Sequence, residues 1–273
     1  MKSPEQRLGL LAGAGRFPIY LATVAKAQGY KVIVVGPKGR LEPDIDNCAD
    51  KVLTYQFGHT REVLKILKEE EIKKVVMAGK VDKRWLYEPD ISFDDLTKEI
   101  FSRLSDRKDD TIMNQIVKIL EEMGIEILPS IEFIRDWLAP QGSFSAAKPS
   151  PSQKKDIEFG FKIAKEIGRL DIGQTIAVLN RAVLAVEAID GTDLTIIRAG
   201  QISPGAVVVK ILKPGQSLKF DVPVVGKSTI QSMIQANAAV LAVEAGSCLV
   251  VEREEMQRLA DQNNIALYGI KNV

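Results

Sequence analysis

Leu8-Gly9-Leu10-Leu11-Ala12-Gly13-Ala14-Gly15-Arg16-Phe17-Pro18 is the stretch that decides how the chain begins to fold. A short apolar run stops at Gly13, the two glycines allow a tight turn, and Pro18 falls where a helix accepts proline in its first turn. The segment therefore reads as a strand passing through a glycine loop into a helix. Glycines at such a junction let backbone N–H groups approach a phosphate, and the helix N-terminus favours negative charge. The dinucleotide fingerprint would want a third glycine at Pro18 and an acidic residue closing the second strand. In its place stands Gly36-Pro37-Lys38-Gly39-Arg40, which suits a phosphorylated ribose at best. Gly13, Ala14 and Gly15 are accordingly predicted to cradle a phosphate or nucleotide, with a bare tight turn as the alternative.

The pattern continues outward from this loop. A helix over 17–28 ends at Gly29, and 31–35 is a valine- and isoleucine-rich strand. Val63, Leu64 and Leu67 stripe a helix over 60–70, and 74–78 is a third strand. Ile112, Ile116, Ile119 and Met123 mark a helix stopped by Gly124, and 125–128 returns as a strand. Such alternation predicts a Rossmann-like parallel sheet with helices on both faces. Residues 140–152 are rich in proline and serine and read as a linker. The expected organisation is thus an N-terminal α/β domain over 1–139, the linker 140–152, and a C-terminal α/β domain over 153–273. In the second domain, Ile157, Phe161, Ala164 and Ile167 stripe a helix; strands are expected near 175–179, 182–187, 206–211, 239–243, 247–251 and 265–270. Helices are expected at 227–237 and 252–263. A second loop, Ala78-Gly79-Lys80-Val81-Asp82, ends the third strand at the sheet edge where open parallel sheets take their ligands. Gly79 and Lys80 are therefore candidate phosphate contacts. Asp109 and Asp110 open the next helix, where they complement its dipole.

Bulk composition narrows the function classes. The 273 residues carry 37 basic and 36 acidic side chains, which lacks the one-sided basic footprint of a nucleic-acid binder. The polar start has no signal core, and the apolar stretch over 238–251 is broken by Glu244. A cytoplasmic protein is expected, with a lipid substrate able to bring it to a membrane surface. Cys48 and Cys248 have no partner at metal spacing. The single histidine, His59, precedes Thr60 at a helix start, where a loop or capping role explains it. Proton transfer then falls to carboxylates.

Those carboxylates gather between residues 171 and 226. Asp171-Ile172-Gly173-Gln174, Glu187-Ala188-Ile189-Asp190-Gly191-Thr192-Asp193, Lys213-Pro214-Gly215-Gln216 and Asp221-Val222-Pro223-Val224-Val225-Gly226 each lie at the edge of an apolar, strand-like segment. A rigid scaffold presents ligand-binding residues at such edges. Mg²⁺ binds through one or two carboxylates plus substrate phosphates, so Glu187, Asp193 and Asp221 form the expected metal set. Lys213 would add positive charge, the Gly191 and Thr192 amides would hold phosphate oxygens, and Gln174 lies among the substrate contacts. Taken singly, Asp193 also reads as the cap of a helix beginning near Leu194, and Asp221 as an acceptor within its own turn.

With these motifs in order, the chain resembles the UDP-2,3-diacylglucosamine pyrophosphatases of lipid A biosynthesis, the type unrelated to metallophosphoesterases. The resemblance runs over about residues 8–270 and includes Gly168-Arg169-Leu170-Asp171-Ile172-Gly173-Gln174 and Leu184-Ala185-Val186-Glu187-Ala188. It implies two domains with substrate bound in a cleft between them, a Mg²⁺ requirement, and release of UMP and 2,3-diacylglucosamine 1-phosphate. It further implies attack of water on the sugar-linked phosphorus, with Asp221 as the family's important aspartate; the residues themselves add Asp193 and Lys213 as catalytic candidates. Transient contact with the inner membrane surface and a homodimer belong to the same expectation. Two other readings stay open on the residues: an NADP-dependent oxidoreductase using Gly13, Gly15, Lys38 and Arg40, and a non-catalytic sugar-nucleotide-binding protein.

Overall fold

A computed structural model describes residues 6–81, 85, 88, 90–104, 109–215 and 222–271, with the backbone alone at 109 and 110. The chain divides into two compact units, the first within Met1–Ile134 and the second in Arg135–Gln216 and Val222–Val273.

The first unit runs β1 (Arg7–Ala12), α1 (Phe17–Ala27), β2 (Lys31–Pro37), α2 (Ile45–Cys48), β3 (Lys51–Tyr55), α3 (Thr60–Glu69), β4 (Lys74–Ala78), α4 (Asp95–Arg103), α5 (Asp109–Glu122) and β5 (Glu126–Leu128). Its sheet has the order β3-β2-β1-β4-β5, and every neighbouring pair is parallel. The Rossmann-like reading is borne out. Register explains the alternation in β1: Gly9 and Leu11 pair with Ile33 and Val35, on the face that α3 and α5 cover. Gly9 is small because a Cβ there would lie 2.9 Å from Ile72 Cγ2. The half-exposed edge strand β3 was not expected from sequence, since Lys51 and Thr54 interrupt its short apolar content. Asp94 supplies what starts α4, accepting the Thr97 amide at 2.7 Å and the Arg61 amide at 2.8 Å.

The second unit runs β6 (Gly142–Ser143), α6 (Pro151–Arg169), β7 (Thr175–Leu179), β8 (Ala182–Val186), α7 (Thr192–Ile202), β9 (Val207–Lys210), β10 (Val224–Val225), α8 (Lys227–Gln235), β11 (Val240–Glu244), β12 (Leu249–Val250), α9 (Arg253–Gln262) and β13 (Ala266–Ile270). Six strands form a mixed sheet ordered β6-β13-β11-β9-β7-β8, while β10 and β12 pair separately. Alternate residues face opposite cores. Ile176, Val178, Val207 and Val209 meet Ile157, Phe161 and Ala164 of α6. Ala177, Val208, Leu241 and Val243 meet α7, α8 and α9 through Ile196, Ile230, Met233 and Met256. The stretch over 140–152, whose composition suggested a linker, is folded into this unit. Gly142 and Ser143 pair with β13, and Ser150 starts α6 with a capping box completed by Gln153. The same proline and serine that suit a linker also suit a helix start.

Candidate active site

In the first unit the strand order reverses its direction of growth between β1 and β4, the switch point at which open α/β sheets take ligands. The two loops leaving these strands are joined. Gly13 N donates to Ala78 O at 2.8 Å, Ala14 N to Lys80 O at 2.8 Å, and Lys80 N to Ala14 O at 2.9 Å. A Cβ on Gly13 would lie 2.6 Å from Lys80 O, and one on Gly79, at φ +95°, 2.8 Å from the Gly13 carbonyl carbon. The amides of Gly13 and Ala14 are thus committed to the protein, which corrects their expected role as phosphate donors; the glycines permit close contact between loops instead. The open place is at Gly15, whose φ is +89° and where a Cβ would meet nothing within 4 Å. Arg16 then caps α1 without a side-chain hydrogen bond over its first turn. Lys80 is exposed. The Arg40 guanidinium expected to meet a ribose phosphate pairs with Glu88 and lies 4.9 Å over the Trp85 ring. His59 contacts Glu62 at 3.3 Å and Ser92 at 3.0 Å at the head of α3, the local role its position suggested.

In the second unit, topology sends β8, β9 and β11 out at one sheet edge, and β7, antiparallel to β9, enters there. Charged residues end or follow these strands and are buried there: Glu187 is 8%, Lys210 6%, Lys213 7% and Glu244 6% exposed. Three ammonium groups meet three carboxylates at this edge. Lys165 of α6 donates to both Glu244 oxygens at 2.8 and 2.7 Å and to Leu212 O at 2.9 Å. Lys213 donates to Asp171 at 2.6 Å. Lys210 reaches its carboxylate through a hydroxyl, donating to Thr192 Oγ1 at 2.9 Å while Thr192 donates to Glu187 Oε1 at 2.8 Å. Gln174 N completes the set on Glu187 Oε2 at 3.1 Å. Burial alone would raise the Glu187 pKa. The Lys210 charge, the Thr175 and Thr192 hydroxyls and the Gln174 amide outweigh it and hold the carboxyl below its ordinary value. Two buried oxygens, Asp171 Oδ2 and Gln174 Oε1, have no hydrogen-bond partner among the described residues.

Of the residues expected from sequence, the fold thus brings Gln174, Glu187 and Thr192 together, and seats Lys213 with Asp171. Gly191, at φ 84°, is the N-cap of α7. Asp193 is therefore the second helical residue, not a cap, and its exposed side chain has no partner among the described residues. Asp221 and Gln216 lie outside the described residues, as do the side chains of Asp109 and Asp110. Among the described residues no three His, Cys, Asp or Glu side chains are grouped to hold a metal. Glu187 does not fit direct ligation, because both its oxygens already accept protein hydrogen bonds beside Lys210. Asp193 does fit, as an exposed and unengaged carboxylate. Sequence reading overlooked Lys210 and Glu244. Their signal is a charged residue closing an apolar run, Val207-Val208-Val209-Lys210 and Val240-Leu241-Ala242-Val243-Glu244.

Most of the chain matches known domains in sequence. Residues 7–137 match the LpxI N-terminal domain, and residues 140–268 the LpxI C-terminal domain. The chain belongs to the LpxI family. The resemblance drawn from the ordered motifs is borne out, and the paired charges at the strand edge of the second unit fall in the LpxI C-terminal domain. A relative in Caulobacter vibrioides (strain ATCC 19089 / CIP 103742 / CB 15), UDP-2,3-diacylglucosamine pyrophosphatase LpxI, is 30% identical over 280 residues, covering 97% of this chain and 98% of that protein. Among solved structures, N5-carboxyaminoimidazole ribonucleotide synthetase from Thermotoga maritima is 14% identical with a TM-score of 0.22, over 67% of this chain and 41% of that one. An ADP complex of the purK N5-carboxyaminoimidazole ribonucleotide synthetase gives 14% and 0.23, over 86% and 45%. This chain spans less than half of either structure, and at such scores they bear on neither fold nor function.

Proposed function

We propose that this LpxI-family chain hydrolyses the pyrophosphate bond of UDP-2,3-diacylglucosamine, giving UMP and 2,3-diacylglucosamine 1-phosphate. The observation that carries the reading is the 30% identity, over 97% of the chain, to a relative bearing that name. Water attacks the sugar-linked phosphorus, the bridging oxygen departs with UMP, and the water oxygen stays on the sugar phosphate. Asp221 assists the attacking water. The Gly15 turn at the α1 N-terminus and Lys80 hold phosphate or nucleotide, while Gly191, Thr192, Gln174 and Lys213 serve the phosphorylated sugar. Burial of Lys213 beside Asp171 supports this, since a charge held in a dry setting acts more strongly on a phosphate than one in water. Mg²⁺ would supply neutralisation of the charge on the phosphates, with the exposed Asp193 carboxylate and substrate oxygens as its ligands. The diacylated substrate brings the protein to a bilayer surface; no helix among the described residues is long and apolar enough to cross one.

The test is product analysis with UDP-2,3-diacylglucosamine in ¹⁸O-water, with and without Mg²⁺. Label in 2,3-diacylglucosamine 1-phosphate and none in UMP is expected. Label in UMP would reverse the point of attack, and absence of UMP would remove the hydrolase reading.

A further inference from the structure

The three ammonium groups at the strand edge of the second unit are not equivalent. An ammonium has three N–H donors. Lys165 spends its donors on both oxygens of Glu244 and on Leu212 O. Lys213 has a carboxylate in direct contact at 2.6 Å. Lys210, 6% exposed, spends one donor on Thr192 Oγ1 at 2.9 Å, and no carboxylate among the described residues lies within ion-pair distance of it. A buried ammonium with donors left over is costly unless something accepts from them. Thr192 fixes where those donors lie, because its hydroxyl is already turned towards Glu187. It is also the first residue of the eleven-residue helix α7, whose cap is a glycine with no side chain over the N-terminal amides. Helix amides and an unspent ammonium at one point favour an anion.

A second observation says what else the ligand carries. Gln174 pairs with this same place: its amide meets Glu187 at 3.1 Å, and its carbonyl accepts from Ile211, next to Lys210, at 3.0 Å. Yet Gln174 Oε1 is buried without a partner among the described residues, as is Asp171 Oδ2. These are acceptors, and they call for hydroxyl or N–H groups. Leftover donors beside leftover acceptors match a molecule bearing a phosphoryl group and hydroxyls, a phosphorylated sugar. Asp193, exposed at the rim of the same helix turn, and Asp190, paired with Arg198 at 2.8 Å, are the acidic groups nearest in sequence.

We infer that Lys210, held by Thr192 at the head of α7, binds the phosphoryl group of a sugar phosphate, with Gln174 Oε1 accepting a hydroxyl of the same ligand. This deepens the proposed hydrolase function by placing the sugar-phosphate half of the substrate on the second unit. It rests on that reading only for the identity of the sugar.

The test is calorimetric titration of the full chain with glucosamine 1-phosphate, and with glucosamine, in metal-free buffer. The wild type should prefer the phosphorylated sugar, and Lys210→Gln should weaken it by about tenfold or more and abolish the preference, as loss of a charged hydrogen bond does. Thr192→Val keeps the ammonium and loses its anchor, and should weaken binding by a few-fold, serving also if Lys210→Gln fails to fold. Binding in folded variants equal to wild type would overturn the inference, as would a wild type that binds neither compound. Binding dependent on Lys210 without any release of UMP from UDP-2,3-diacylglucosamine would sink the hydrolase reading and leave this one standing.

Discussion

Asp171 and Lys213 meet at 2.6 Å with side chains only 13% and 7% exposed, joining the loop after α6 to the loop after β9. Asp171 holds this contact from a left-handed backbone conformation, φ 56°. Asparagine tolerates that region as well as aspartate does, so Asp171→Asn removes the charge without straining the turn. It breaks a buried ion pair and should cost about 3–5 kcal/mol in urea unfolding. Lys213→Met should cost a similar amount, and the double variant less than the sum. Additive losses would mean that the two groups do not act as a pair.

Glu187 gives stability a dependence on acid pH. Its folded pKa lies below the ordinary 4.5 because Lys210, Thr175, Thr192 and Gln174 outweigh the effect of burial. In the unfolded chain the group binds its proton first, so below the ordinary value the unfolded state gains protons that the folded state lacks. The stabilisation is therefore complete above pH 4.5 and is lost as pH falls through the depressed folded value. Unfolding curves of Glu187→Gln should be flatter than wild type over that acid window. Parallel curves would remove Glu187 from the acid response.

Glycines in the first unit should separate by function. Gly79→Ala must place a methyl 2.8 Å from the Gly13 backbone at φ +95°, and is expected to cost about 2–3 kcal/mol. Gly15→Ala meets open space at φ +89° and should cost only the left-handed penalty, about 1–2 kcal/mol. Thermal unfolding of both variants checks the order.

Asp221→Ala, on the proposed mechanism, should lower turnover of UDP-2,3-diacylglucosamine by roughly 10²–10⁴-fold while substrate binding persists. Chelation of divalent cations should abolish wild-type turnover, with recovery on adding Mg²⁺. Near-normal turnover in the variant would take Asp221 out of the reaction.

Much of the scaffold was legible in the residues. Leu8 to Pro18 predicts the strand, loop and helix found as β1 and α1, because apolar runs, glycine and proline act locally. The edge strand β3 was not legible, since its stability comes from pairing with β2 and its own residues are half exposed. Linker composition over 140–152 misleads because proline and serine serve a capping box as readily as a flexible tether. At the site, the clusters around Gln174, Glu187 and Thr192 stand out in sequence as charge and glycine at strand ends. Lys210 shows only as a charge closing three valines, and it gains meaning only when its neighbours are known.

By itself the sequence determined the alternation of strand and helix, the family, and the short list of residues with the chemistry for a phosphorylated substrate. These follow from periodicity, turn residues and motif order, which are properties of neighbours along the chain. Only the tertiary structure decided which charges neutralise which. Gly13 and Ala14 lost their free amides to Ala78 and Lys80, Glu187 became the counter-charge of Lys210 through Thr192, and Asp193 was left exposed. Hydrogen bonding and desolvation depend on distances between residues far apart in sequence, and the sheet's strand order sets those distances.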